Sequence, residues 1–299
     1  MSFDAFTTEL SNGVKVPLLG LGTSKAGGYC HDTIIYALKD CNYRLIDTAQ
    51  RYGCEENLGQ ALKESGIPRN EIFLTSKVWP TDYGYHKTVE AFHESMKKLG
   101  VDYLDLYLMH WPLIPTVPCA KKVLEESWRA LEKLYDSGLC RAIGVSNYAL
   151  DNLEDLLSTA SVTPHVNQVE FHPYQNIYEI RNFCKDKRIN IEGYSPFARG
   201  KLLSKKSILE IASQYNKTPS QILVKWSMQV YSISFVLQNG VITIPKSIKK
   251  ERVLENSQVY DFTLNQSTMA TLDSFPIQPP MFENFAEGLT EQLFPSSSQ

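Results

Sequence analysis

The chain has 299 residues, 43% of them hydrophobic and 21% charged, with a formal net charge of −3. This length admits two domains, but α/β barrels commonly reach it as one unit around one large core. The near-neutral charge gives no pull toward polyanions, so neither nucleic acid nor a membrane surface is an expected partner.

Residues 1–10 carry Asp4 and Glu9 and lack the basic and apolar regions of a secretory signal. No apolar run approaches membrane-spanning length. Cys30, Cys41, Cys54, Cys119, Cys140 and Cys184 are scattered, with no Cys-x-x-Cys pair and no His at zinc spacing. Free thiols, a cytoplasmic location and no bound metal are the expectations. A monomer acting on a small molecule is the working expectation for assembly.

In chain order, residues 6–10 and 14–16 flank Asn12-Gly13, a tight hairpin signal. Such a hairpin is expected to plug the floor of a barrel. Short apolar runs then recur at 18–21, 44–47, 72–77, 104–110, 142–146, 166–170, 189–194 and 241–244. The stretches between them, such as 85–99 and 123–137, place apolar residues at i, i+3, i+4 and i+7 with Lys and Glu opposite, the pattern of amphipathic helices. Strands alternating with helices imply a parallel sheet with helical crossovers. The run Leu-Asp-Leu-Tyr-Leu-Met at 104–109 is nearly continuous, as in a strand covered on both faces. Eight such units predict an α/β fold of the (β/α)8 TIM-barrel class, as a single domain over 1–299. Past residue 274, Pro276, Pro279 and Pro280 with Phe282 and Phe285 mark an irregular tail, 275–299, over the barrel.

In that architecture the chemistry sits at the C-terminal ends of the strands. Asp47 closes the second run, Tyr52 follows it, Lys77 ends the third and His110 ends the fourth. Each has a plain alternative: a helix cap for the Asp, core packing for the Tyr, a solvated surface group for the Lys, a structural role for the His. Together, at three successive strand ends, they predict a catalytic site. A tyrosine hydroxyl is a weak acid at neutral pH, and an adjacent ammonium favours its ionised form and lowers its pKa. Asp47 would hold that ammonium in place.

These residues resemble the aldo-keto reductase superfamily, and the likeness runs through Gly20-Leu-Gly-Thr23, Asp47 to Tyr52, Ser76-Lys77, residues 108–112, Gly144-Val-Ser-Asn147, Asn167-Gln-Val-Glu170, Tyr194-Ser-Pro196 and Ile244-Pro-Lys-Ser247. The resemblance implies reduction of aldehydes and ketones to alcohols with NADPH. Tyr52 would be the general acid, Lys77 and Asp47 would tune it, and His110 would orient the carbonyl. Further implied positions are Gly22 and Thr23 along the cofactor, Ser146, Asn147 and Gln168 on the nicotinamide carboxamide, and Tyr194 on its ring face with Ser195 following. Lys246, Ser247 and Arg252 would take the phosphate, and Glu255 and Asn256 the adenine. Cations gathered at a helix start oppose the macrodipole, which favours a 2′-phosphate there and hence NADPH over NADH. Trp79 and Trp111 would line the substrate pocket beside His110.

Three rival readings stand beside this one. A Rossmann dehydrogenase needs a third glycine where Lys25 stands, and a barrel metallohydrolase needs several His ligands that six scattered histidines do not offer. The third is a nucleotide-binding barrel that serves as a subunit or structural protein without turnover. The chain departs from the family pattern at Ser24, where a pocket Trp is common, and its short 112–122 segment with Gly200-Lys-Leu-Leu203 resembles the short-loop branch. It also carries an additional run at 230–238 that satisfies helix and strand periodicity equally. That run is expected on the barrel floor, away from the cofactor, and dispensable.

Overall fold

The Asn12-Gly13 signal becomes a two-stranded ribbon in which β1 (Thr7–Glu9) pairs antiparallel with β2 (Lys15–Pro17). Gly13 takes φ +84°, a left-handed conformation that glycine adopts without steric cost. The computed structural model describes residues 6–24, 27–112, 120–230 and 240–279.

After the ribbon, strand and helix alternate: β3 (Leu21–Gly22), α1 (His31–Lys39), β4 (Leu45–Asp47), α2 (Glu55–Ser65), β5 (Phe73–Val78), α3 (Tyr85–Leu99), β6 (Leu104–Met109), α4 (Ala120–Asp136), β7 (Cys140–Ser146), α5 (Leu150–Leu157), β8 (Val166–Glu170), α6 (Tyr178–Asp186) and β9 (Asn190–Tyr194). Two helices, α7 (Lys206–Gln214) and α8 (Pro219–Gln229), precede β10 (Ile242–Ile244), and α9 (Lys250–Ser257) and α10 (Gln266–Asp273) follow it. Strands β3 to β10 pair in parallel and in sequence order. The barrel closes through a bridge between Leu19 and Thr243, where Thr243 N–H donates to Leu18 O at 2.8 Å and Gly20 N–H to Thr243 O at 2.9 Å. The predicted first strand at 18–21 is therefore shared between two partners: its early residues pair with β10 and Leu21–Gly22 with β4. This is the predicted (β/α)8 barrel with its N-terminal hairpin.

Period-two alternation divides the strand residues between two cores. Leu45, Phe73, Leu106, Leu108, Ala142, Val166, Ile242 and Ile244 point inward and pack with Leu10 and Val16 of the ribbon, which plugs the floor. Ile46, Leu74, Tyr107, Met109, Ile143, Val145 and Ile191 point outward beneath the helices. Helix α3 shows the matching helical rule, burying Thr88, Ala91, Phe92, Ser95 and Leu99 and ending at Gly100. The inward columns carry consequences for function. Two or four residues above their apolar members stand Asp47, Lys77, His110, Ser146 and Gln168, and on β9 Tyr194 stands two above Glu192.

Of the expected tail, only 275–279 is described; Phe275 packs on Tyr174 at 4.8 Å between ring centroids, and Gln278 N–H donates to Tyr174 O. The additional run at 230–238 falls outside the described residues except for Val230. Its expected dispensability needs one correction, because Val230 is 5% exposed and part of the outer core. The flanks of the run meet at once. Val241 N–H donates to Ser227 O at 3.1 Å, and a Cβ on Gly240 would lie 2.1 Å from Met228 O, so the chain re-enters directly against the last turn of α8. Deleting residues 231–238 and keeping Val230 is expected to leave a soluble protein with a cooperative melt close to the parent's. Extending the deletion to Val230 costs a further 1.5–3 kcal/mol or so from the lost apolar burial. Thermal and urea unfolding of the two variants checks this, and aggregation of the shorter deletion would place the run in the core.

Candidate active site

Lys77 is completely buried, and an ammonium in that position needs an acceptor for each of its three protons. It has them: Asp47 Oδ2 at 2.6 Å, Thr48 O at 2.8 Å and Tyr52 Oη at 3.4 Å. Asp47 and Lys77 come inward from neighbouring strands β4 and β5, which sets their separation. Tyr52 is delivered by the short 3-10 turn Gln50–Tyr52, closed by Gly53 at φ +67°. Gln168, across the barrel on β8, donates from Nε2 to the same Asp47 oxygen at 2.8 Å.

His110 follows β6, with its ring edge-on to Tyr52 at 5.6 Å and to Trp79 at 5.1 Å. Its Nδ1 is buried with no hydrogen-bond partner among the described residues. Burial, and then the charges of Lys77 and Arg51, hold its pKa well below the usual value, so the ring is neutral at physiological pH. Lys77 keeps its charge: burial opposes it, but Asp47 and Tyr52 outweigh burial and raise its pKa.

Tyr52 differs from the expectation of a lowered pKa. Burial pushes it up to about 12, and the nearby Lys77 charge opposes that only in part. Desolvation of a phenolate in this apolar site exceeds the attraction of one ammonium 3.4 Å away. The hydroxyl therefore retains its proton at neutral pH, with the Lys77 ammonium beside it.

The remaining expected residues form two groups. On β7, β8 and β9, Ser146 Oγ donates to Gln168 O at 2.9 Å, and Asn147 Nδ2 donates to His110 O at 2.9 Å and to Ser146 Oγ at 3.1 Å. Tyr194 donates its hydroxyl proton to Asn147 Oδ1 at 2.7 Å. Asn147 and Ser195 have φ of +64° and +52°, so the strand ends here are held in uncommon backbone conformations. Thr23 is buried against β4, its N–H and hydroxyl both donating to Asp47 O. Gly22 lies where a Cβ would come within 3.2 Å of Ile244 O.

The second group lies beyond β10. Lys246 Nζ donates to Gly28 O at 2.7 Å, linking the loops that follow β10 and β3. Ser247 Oγ accepts from Lys249 N–H at 3.1 Å. Arg252 is exposed in the first turn of α9, whose N-terminus has no side-chain cap. Glu255, expected at the adenine, is engaged elsewhere: its Oε1 accepts from the hydroxyls of Thr218 and Ser220 at the start of α8. Asn256 is buried on the inner side of α9. The structure thus does not present Glu255 and Asn256 as a free pair. Trp79 is buried behind His110, and Trp111 is positioned through its backbone, which both donates to and accepts from the Tyr83 hydroxyl.

Tyr83 and Glu192 were not singled out from sequence. Glu192, on β9, pairs in register with Gln168 and Ile242 and so faces the barrel interior below the site. It is fully buried, and neither carboxyl oxygen has a hydrogen-bond partner among the described residues. The signal was present as an acidic residue at an inward position of an apolar strand. Burial and the Asp47 charge, opposed by Lys77, push its pKa up to about 8. Below that value the folded barrel keeps a proton that the unfolded chain releases near the ordinary carboxylate range. Folding then takes up a proton, and stability falls as pH rises through this window. Glu192→Gln carries no such titration, so its stability relative to the parent is expected to increase from pH 5 to pH 8, read by urea unfolding. A difference independent of pH would show that Glu192 is ionised in the fold.

Among the described residues no helix is long and apolar enough to cross a membrane. A model of the Aldo/keto reductase family matches residues 18–277. A glyoxal reductase of Bacillus subtilis is 45% identical over 270 residues, covering 90% of this chain and 92% of that protein. A 9,11-endoperoxide prostaglandin H2 reductase of Trypanosoma cruzi is 41% identical over 269 residues, covering 88% and 89%. Of the solved structures, an aldo/keto reductase from Brucella melitensis superposes with a TM-score of 0.80 at 41% identity, covering 89% of this chain and 98% of that one. An aldo-keto reductase complexed with NADPH gives 0.81 at 29% identity, covering 97% and 92%. With the barrel, its plugged floor and this coverage in agreement, the chain belongs to the aldo/keto reductase family.

Proposed function

We propose that this chain reduces aldehydes and ketones to alcohols with NADPH, with Tyr52 as the general acid. The observation that carries the reading is the fully buried ammonium of Lys77 reaching both Asp47 and the Tyr52 hydroxyl, beside a neutral His110. NADPH, when bound, supplies the hydride.

The chain's own residues account for the rest. Hydride arrival at a carbonyl carbon builds negative charge on its oxygen, and donors already aimed at that position lower the barrier. A neutral His110 protonated on Nε2 donates one hydrogen bond there, and Tyr52 donates the second and then its proton. The tyrosinate left behind lies next to Lys77, whose charge is secured by Asp47. Removal of water from this pocket strengthens each of these terms.

The donor set also suits a nicotinamide dinucleotide. Ser146, Asn147 and Gln168 supply hydroxyl and amide groups on adjoining strands, next to Asp47. At the other end, the uncapped start of α9 carries Lys249, Lys250 and Arg252, and Arg252 has no ion-pair partner among the described residues. Exposed backbone N–H groups and an uncommitted guanidinium fit a phosphate monoester, which favours NADPH over NADH. The name of the Bacillus relative makes glyoxal a natural first substrate to test.

Tyr52→Phe is expected to leave folding and NADPH binding intact, followed by fluorescence titration, while turnover with any carbonyl substrate falls below a tenth of the parent's. A smaller loss, less than about 1.4 kcal/mol of barrier, would remove Tyr52 from the role of acid. A wild-type chain that binds NADPH but oxidises it with no carbonyl compound would instead favour the non-catalytic barrel. Arg252→Ala is expected to weaken NADPH by about tenfold to a hundredfold while changing NADH little, as for loss of a charged hydrogen bond. Equal losses for the two cofactors would assign Arg252 to the fold.

A further inference from the structure

Arg51 stands beside the site without being part of it. It immediately precedes Tyr52 on the same 3-10 turn, is exposed, and makes no ion pair or hydrogen bond among the described residues. Its guanidinium lies over the Trp79 ring, 5.3 Å from the centroid, and the Trp79 ring in turn meets His110 at 5.1 Å. The neighbouring acid, Asp82, is occupied by Gln50, which donates to Asp82 Oδ2 at 2.8 Å and by doing so helps fix the turn that carries Arg51. An exposed arginine resting on an aromatic face, with no carboxylate partner among the described residues, is poised for an anion brought by the ligand. Its field already reaches the reacting centre, since Arg51 is one of the charges that keep His110 neutral.

We propose that Arg51 is a specificity-determining residue that pairs with a carboxylate on the substrate, so that the preferred substrates are oxo acids in which a carbon chain separates the carbonyl from the acid. The proposal rests on the carbonyl-reductase reading above and names the substrate class of that site. Through Trp79, the guanidinium is within reach of an extended chain of about four to six atoms anchored by its carbonyl at Tyr52 and His110. The chain would lie along the Trp79 ring, and the acid would meet the fork of the guanidinium.

The test compares kcat/KM for 6-oxohexanoate and its methyl ester with NADPH, in the parent, Arg51→Gln and Arg51→Glu. The parent is expected to prefer the acid, and Arg51→Gln to reduce the acid-to-ester ratio by about tenfold to a hundredfold, chiefly through KM. The preference should also fade as salt is raised, because a rim charge is screened. Arg51→Glu is expected to invert the ratio and turn preference toward an aminoaldehyde of similar length, while circular dichroism matches the parent. A parent that reduces the ester without preferring the acid, or a ratio unmoved in Arg51→Gln, overturns the proposal and leaves carbonyl reduction standing. Absence of NADPH oxidation with both compounds overturns the reading and the proposal together.

Discussion

An ammonium sealed inside a barrel is the constraint around which this site is organised. Stripped of water, the Lys77 charge is tolerable only where a carboxylate and further acceptors meet it with good geometry, and Asp47, the Thr48 carbonyl and the Tyr52 hydroxyl do so. That requirement ties together the ends of β4 and β5 and the turn after β4. Gln168 extends it across the barrel by donating to Asp47. The same sealing makes the arrangement useful, because charge interactions weaken little where solvent is excluded.

The exclusion of water originates at the opposite end of the molecule. Leu10 and Val16 of the ribbon close the floor against Leu45, Phe73, Leu106 and Ile242, so that the interior below the polar layer is apolar. Glu192 interrupts it with a carboxyl group. Two carboxyl groups face Lys77 from different strands, and the environment separates them: Asp47 accepts two hydrogen bonds, whereas Glu192 accepts none and holds its proton up to about pH 8. The Lys77 charge therefore faces one carboxylate and the Tyr52 hydroxyl instead of two anions.

Around this centre, second contacts fix orientations. The hydrogen-bond path from Tyr194 through Asn147 to the His110 carbonyl joins β9, β7 and β6, and the Tyr83 hydroxyl secures Trp111 from behind. Such supporting contacts lock side chains into a narrow range of orientations. Glu255 illustrates the opposite assignment. It lies on the same short helix as Lys250 and Arg252, yet its carboxylate completes the start of α8.

The sequence by itself determined the order of the elements and the facing of the strand residues. A period of two along 45–47, 73–77, 104–110 and 166–168 leaves no choice of side once one apolar residue is committed to the interior. For that reason the barrel, its hairpin, and the grouping of Asp47, Lys77 and His110 at one end were legible before any coordinates. The aldo-keto reductase likeness supplied roles for those residues that periodicity alone could not supply. What only the tertiary structure decided were quantities that depend on every neighbour at once. Whether Tyr52 is shifted up or down depends on how much solvent the whole barrel removes, measured against one ammonium at 3.4 Å. The partners of Glu255, Thr218 and Ser220, lie some three dozen positions earlier in the chain, and the burial of Val230 comes from a core assembled elsewhere. Glu192 escaped notice for the same reason: a carboxyl becomes a buried, unpartnered acid only when eight strands close around it, and closure is a property of the barrel, not of any segment.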